Sequence, residues 1–527
     1  MPTKADKLLK ENRKIGMVAV AAATVALACS LSPPASAEDF EIKWPQAMRE
    51  RGDLIPKDRK RVSKVTRPTE DFSKPERFET MSGGSATTKK LPNHDAFSQS
   101  SANLSFEEEE TFKLGNALFR KMWVSSPSST DASDGLGPLF NSRSCQTCHL
   151  KDGRGHPPEG SADATSMFLR LARGPATEDE REALKNFLAP NLPDPVYGGQ
   201  LQDKAIPGLL AEGKMVIEYA DQPFTYPDGT EITLRKPSYS AENLNYGPLA
   251  PDTTLSPRVA NPMIGMGLLQ AIHPADLIVN ADPDDADGDG ISGRVALARG
   301  TKLDDPVIGR FGWKAQNASI REQSSEAFAG DIGISNPLVP RHAGDCTEAQ
   351  VDCLNAPNGV QERLGETEAP DPVMDLVTFY SENLAVPARR DVDDPEVLRG
   401  KEMFYTSGCT ACHTPKFVTS RKTGNKAHAF QLIWPYSDML LHDMGDGLAD
   451  GQVVGIAGGS EWRTPPLWGI GLTETVSGHT FFLHDGRARN LEEAILWHGG
   501  EAEASRDAYA ALEKKDRDAL IRFLNSL

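Results

Sequence analysis

Cys145-Gln-Thr-Cys148-His149 and Cys409-Thr-Ala-Cys412-His413 are the two stretches on which the fold reading turns. Each is a Cys-x-x-Cys-His pentapeptide, the attachment pattern of a c-type haem. The two thiols add to the vinyl groups of the macrocycle, and the adjacent His is carried beneath the iron as its proximal ligand. A zinc site would need two further Cys or His ligands at short spacing, and neither segment offers a second Cys pair. A thioredoxin-type pair does not require the following His, which is present both times. Four of the seven cysteines fall into this one pattern. Two covalently bound haems follow, and with two irons in one chain, electron traffic between them.

Working outward, helical spacing leads into each motif. A helix-like pattern begins at Phe106 and runs through Leu114, Ala117, Leu118 and Phe119, then gives way to a Gly/Pro/Ser loop before Cys145. A second pattern, 396–405, delivers Cys409, and helices are expected at 178–188, 372–384, 491–497 and 516–527. Segments 214–219 and 230–235 read as two strands joined by a turn at Pro227-Asp228-Gly229. The acidic stretch Asp391-Val-Asp-Asp-Pro395 marks a boundary. The expected fold is mainly α: two cytochrome c-like haem domains, 106–390 and 391–527, the first enlarged by small β insertions. Residues 38–105 are polar, rich in charge and proline, and read as an irregular arm.

The first 37 residues read as an export signal. Lys4, Lys7, Lys10, Arg13 and Lys14 precede an apolar run from Ile15 to Ala28, and Ala35-Ser36-Ala37 supplies small residues for cleavage after Ala37. An uncleaved anchor is the rival reading, although the run is short for a span. Export to the periplasm agrees with c-type haem, which is attached outside the cytoplasm. It also suits a disulfide between Cys346 and Cys353. The net charge is −18, and removal of the basic leader takes the mature chain to about −21. That excludes nucleic acid and anionic membrane surfaces as partners and suits a basic electron donor. No later segment is apolar enough to span a bilayer.

Five segments carry a resemblance: Gly309-Arg-Phe-Gly-Trp-Lys-Ala315, Ala329-Gly-Asp-Ile-Gly-Ile334, Leu441-His-Asp-Met-Gly-Asp-Gly447, Trp462-Arg-Thr-Pro-Pro-Leu-Trp468, and Asn490-Leu-Glu-Glu-Ala-Ile-Leu-Trp-His498-Gly499. With the two haem motifs, they make residues 106–527 resemble the di-haem oxidoreductases. These are related to the bacterial di-haem cytochrome c peroxidases and to the di-haem enzymes that form quinone cofactors. In the peroxidases the segment matching 491–499 carries a Met that ligates the second haem; in the quinone-forming enzymes a Tyr stands there. Here the position is His498, so the resemblance implies His413 and His498 as the axial pair of haem two. Two imidazoles close that iron and lower its potential relative to a His/Met haem. Met444, His442 and His484 are rival ligands. His149 serves haem one, and His156 is held on its proximal rim by a Gly/Pro-rich chain.

A peroxide-using haem needs an open sixth position and groups that move protons between the two oxygens. The relatives place a Trp between the haems and a distal Gln ten residues on, a spacing that Trp313 and Gln323 reproduce. Their catalytic Glu is matched here by an apolar residue. Asp331 is the expected substitute and Glu326 the alternative. Separately, Asp285, Asp287 and Asp289, with Gly290 at the sixth place, copy the first half of a calcium loop, but Ala296 stands where the bidentate acid belongs. A bound calcium and a plain acidic turn both remain open. The leading expectation is a periplasmic di-haem peroxidase that reduces hydrogen peroxide at haem one with electrons relayed through haem two from a small donor cytochrome. The alternatives are oxidation of a protein or other large substrate, and a non-catalytic electron-transfer cytochrome.

Overall fold

Ser105 starts the helix α1 (Phe106–Phe119) with a reciprocal cap: its hydroxyl accepts from the Glu108 amide, and the Glu108 carboxylate accepts from the Ser105 amide. This helix belongs to a computed structural model that describes residues 42–527 apart from 131, 132, 159 and 161–163. The export signal expected at 1–37 lies outside the described residues. Phe112, Gly115 and Phe119 form the buried face of α1, at the spacing one helical stripe requires. Gly115 is needed there, because a Cβ would run into the Leu376 carbonyl of the helix packed against it.

Ser319 and Glu322 repeat the reciprocal cap at the start of α2 (Ile320–Asp331). The partner of both is α3 (Asp371–Glu382), which has Pro at its first turn. Tyr380 of α3 accepts from Asn116 Nδ2 at 2.8 Å and donates to Asp152 Oδ1 at 2.7 Å, tying α1 and α3 to the loop behind the first haem motif. In the second half, Asp394 caps α4 (Pro395–Thr406), and Gly408, at φ +81°, turns the chain into Cys409. Further on come α5 (Leu491–Leu496), a helix at Glu503–Ala511, and α6 (Lys514–Ser526). Gly400 lets α4 approach α6 closely, since a Cβ there would meet the Ala519 carbonyl.

Every sheet among the described residues has two strands. Strand β1 (Met167–Ala172) pairs antiparallel with β4 (Thr254–Val259), Met167 opposite Val259. Between them, β2 (Lys214–Thr225) and β3 (Glu231–Glu242) form the expected hairpin, with twelve residues in each strand. The expected six-residue strands are too short: 220–225 is exposed except at Phe224, and 236–242 carries Pro237, Ser238 and Ser240, so alternation of apolar residues fades in both. Cys346 and Cys353 are disulfide-bonded, with Cα atoms 6.2 Å apart.

The expectation of a mainly α chain built from two cytochrome c-like domains is corrected by this architecture. Among the described residues 30% are helical and 16% extended. The expected helices do form, but as separate pieces set in long irregular connections, which 45 glycines and 38 prolines favour. Packing also crosses the acidic stretch at 391. One apolar cluster joins Met167, Val259 and Trp313 to Phe404, Trp462, Leu520 and Phe523. A second joins Ala86, Phe97 and Leu268 to Phe417, Ile433 and Trp468.

The stretch before α1 carries the helix Pro56–Thr66 and is clamped to the body by ions. Glu79, 2% exposed, bonds Arg389 and Lys401, and Arg51 bonds Asp276 at 2.6 Å and the Val418 carbonyl at 3.0 Å. Among the described residues no helix is long and apolar enough to cross a membrane.

Candidate cofactor cavity

The two Cys-x-x-Cys-His loops fold alike. The short helix Cys145–Cys148 is closed by the His149 amide on the Cys145 carbonyl at 3.0 Å, and the His413 amide closes on the Cys409 carbonyl at 2.9 Å. His149 Nδ1 meets the Asn261 carbonyl at 2.7 Å, and His413 Nδ1 meets the Tyr436 carbonyl at 2.9 Å. A carbonyl accepts, so Nδ1 carries the proton and Nε2 keeps its lone pair, the arrangement a metal-bound imidazole needs. Burial pushes both rings down to about 4, so both are neutral. An aromatic ring stands 6.2 Å from each, Phe119 at His149 and Phe404 at His413. None of the four motif cysteines is in a disulfide. Burial pushes Cys145, Cys148 and Cys409 up to about 12 and raises Cys412.

One cavity reaches both loops. Its empty volume is about 2980 Å³, including space open to solvent, and its walls carry both Cys pairs, both motif histidines, Trp313, Gln323, Asp331 and His498. Three guanidiniums line it with no carboxylate in salt-bridge reach among the described residues. Arg154 donates to the Phe481 carbonyl at 2.9 Å. Arg310 donates to those of Leu269 and Ile272 at 3.1 and 2.9 Å, and Arg463 to those of Gly312 and Thr464 at 3.2 and 3.0 Å. Burial lowers each to about 10. Unmatched buried cations are costly, and the propionate carboxylates of two haems are anions of the kind that would match them. Four thiols, two imidazoles with free Nε2 and three unmatched guanidiniums make a donor set that fits two haems c.

Trp313 is 6% exposed and donates Nε1 to the Val259 carbonyl at 2.9 Å. Arg154, five residues after the first motif, lies over its ring at 5.4 Å, while Trp462 of the second half meets it edge-on at 6.5 Å. It therefore touches elements of both halves. Gln323, in the first turn of α2, accepts from Asn317 Nδ2 at 3.1 Å through Oε1. Asp331 is the last residue of α2 rather than part of a following loop. Its Oδ1 accepts from Gln200 Nε2 at 3.0 Å, and burial raises its pKa. Glu326 is turned away: its carboxylate accepts from Asn317 Nδ2 at 2.8 Å, and it is absent from the cavity wall.

At the other end, His498 follows α5 and spends Nδ1 on the Ala494 carbonyl at 2.7 Å, which leaves Nε2 free. His498 and His413 line the same cavity, and, after burial, the positive charge of His498 also disfavours protonation of His413. His442 has both nitrogens committed, Nε2 to Asp438 at 2.8 Å and Nδ1 to Glu501 at 2.6 Å, and has no lone pair left for iron. His484 stacks on Trp462, rings 3.8 Å apart, and Met444 lines the cavity. His156 turns Nδ1 to the Pro157 carbonyl at 2.8 Å and stands outside the cavity wall.

Asp285, Asp287 and Asp289 bring ligand oxygens within 4.8 Å of one another. One oxygen of each already accepts from an amide of the same loop: Gly290 at 3.1 Å, Asp289 at 3.2 Å and Ile291 at 2.9 Å.

Reading the sequence missed the three guanidiniums and the committed state of His442. Arg310 and Arg463 lay inside segments already singled out, but only burial without a partner marks them as anion-facing.

Among curated proteins none matches the chain. A family model described as "di-haem oxidoreductase, putative peroxidase" matches residues 78–527 and so begins inside the arm, earlier than the resemblance at 106. The chain belongs to the di-haem oxidoreductase family.

Proposed function

We propose that the protein is an exported di-haem peroxidase that reduces hydrogen peroxide at the first-motif end of the cavity with electrons entering at the second-motif end. The observation that carries this reading is one cavity lined by unlike groups: both motifs, the Asp331 carboxyl, whose pKa burial raises, the Gln323 amide, and a further imidazole, His498. Haem c held by the two motifs would supply irons capable of one-electron chemistry. Reduction of one peroxide consumes two electrons and two protons and yields two waters.

The chain's part is to handle the protons and hold the geometry. Burial keeps the Asp331 carboxyl protonated to higher pH than an exposed one, so it can give that proton to the departing oxygen. Gln200 fixes its orientation. Asn317 pins the Gln323 carbonyl and leaves the Gln323 amide N–H groups to donate into the cavity. Trp313, in contact with both halves, is the bridge between the two ends. His498, paired with His413, closes the second end. The mature charge near −21 suits a basic donor such as a small cytochrome, and the N-terminal pattern supports export to the periplasm.

The test is peroxide-dependent oxidation of a reduced small cytochrome c by the purified holoprotein. Two cytochromes oxidised per peroxide supports the proposal. Protein that carries both haems but shows no such oxidation in any redox state contradicts it.

A further inference from the structure

We propose that His442 is a positioning cation for the second haem, an imidazolium fixed at the Cys412 attachment sulfur that raises the reduction potential of the haem held at Cys409, Cys412 and His413. The inference rests on the haem reading above and deepens it.

His442 stands on the short strand Leu441–Asp443 and is 2% exposed. Its Nδ1 lies 2.6 Å from Glu501 Oε2 and 3.6 Å from Cys412 Sγ, and its Nε2 lies 2.8 Å from Asp438 Oδ2. Ionised carboxylates only accept, so both ring nitrogens carry hydrogen and the ring is a cation. Burial opposes that charge, but the hydrogen bonds to Asp438 and Glu501 hold the ring protonated above the usual histidine range.

The cluster is locked from several sides. The second oxygen of Glu501 accepts from Ser292 Oγ at 2.8 Å and from the Asp443 amide at 3.2 Å. Asp438 Oδ1 accepts from the Leu440 amide at 2.9 Å, and the Asp438 amide donates to the Cys412 carbonyl at 2.9 Å. Gly293 lies against the ring so closely that a Cβ there would collide with Cε1. The imidazolium cannot turn away from the sulfur.

Axial imidazoles from His413 and His498 would leave the second haem at a low potential. Hydrogen bonding and charge beside the macrocycle are the means the protein retains to move it back up. A cation at the attachment sulfur favours the electron-rich reduced state, and the flanking carboxylates oppose it. Deleting the ring and neutralising a carboxylate must therefore act in opposite directions.

The experiment is a spectroelectrochemical titration of holoprotein shown by mass to carry two covalent haems. His442→Gln should shift the haem-two midpoint potential down, His442→Lys should restore much of the shift, and Glu501→Gln should shift it up. The low-spin signal of haem two should persist in all three. An unmoved potential, shifts of one sign in His442→Gln and Glu501→Gln, or loss of the low-spin signal in His442→Gln would overturn the inference. Should His442→Gln fail to take up haem, the upward shift in Glu501→Gln decides alone. Wild-type protein with fewer than two haems refutes the haem reading itself, which keeps the two failures apart.

Discussion

Several carboxyls on the Cys145–His149 side are raised in pKa by burial, while ion-paired ones on the Cys409–His413 side are lowered. Asp152, behind the first motif, is pushed up to about 6, and Glu212 in the same half up to about 8, in both cases by burial. Asp331 and Asp345 are raised for the same reason. Burial also works against Glu79 of the arm and against Glu501 and Asp485 of the second half, yet all three are lowered, Asp485 to about 2. Each of the three has a cation close by, Arg389 and Lys401 for Glu79, His442 for Glu501, Arg487 for Asp485, whereas Asp331 and Asp345 have a guanidinium only at 3.8 and 3.6 Å, from Arg170 and Arg341. Burial draws a carboxyl towards keeping its proton, and a nearby cation pulls it back towards a fixed charge. A peroxide-reducing end needs the first and an electron-transfer end needs the second.

The contrast is broken most directly at Asp331. Asp331→Asn keeps the shape and removes the proton, and it should slow the peroxide step by about 10²–10⁴-fold while the haem-two low-spin signal stays as it was. Stopped-flow mixing with peroxide reads this. An unchanged rate would remove Asp331 from the proposal.

Stability should divide along the same line. Glu79→Ala strands Arg389 in the interior and leaves Lys401 only Glu76, at 3.0 Å, and should cost about 3–5 kcal/mol. The half-exposed pair of Lys151 and Asp95, 39% and 38% exposed beside the first motif, should yield less than about 1 kcal/mol when Lys151 is replaced by Ala. Denaturant titrations compare the two variants.

Acid and base should unsettle different halves. The folded pKa of Glu212, about 8, lies above its unfolded value of 4.5, so the folded state holds the extra proton in that window. Its contribution is complete below pH 4.5 and is lost as pH rises to about 8. Asp485 is the reverse: its contribution is complete above pH 3.8 and is lost as pH falls towards about 2. Each effect is of the order of a few kcal/mol. Glu212→Gln should flatten the alkaline limb of a melting-temperature profile and leave the acid limb in place. The smallest expected effect is that of Gln323→Leu, which removes one donor into the cavity and should slow the peroxide step by about tenfold, against no change in the potential of haem two.

Much of this was legible in the sequence. The Cys-x-x-Cys-His loops are local signals, and the helices at α1, α3, α4 and α6 follow from apolar spacing that their buried faces share. Trp313, Gln323, Asp331 and His498 all reach the cavity wall. What could not be read depends on distance along the chain. Glu79 meets Arg389 across 310 residues, and His442 meets Glu501 across 59. No periodicity links such pairs, so the ion-paired character of the second half stayed hidden. Nor could spacing reveal that His442, a rival for iron, has spent both nitrogens. The helix content was overestimated because each expected helix was real while the long connections between them carried no pattern.

The central claim is that two alike motifs hold unlike irons, and a low-temperature electron paramagnetic resonance spectrum of the holoprotein and of His498→Ala tests it most directly. The account predicts one high-spin and one bis-imidazole low-spin signal in the wild type, with the low-spin signal lost in the variant. Two low-spin signals in the wild type, or a low-spin signal unchanged in His498→Ala, would contradict it.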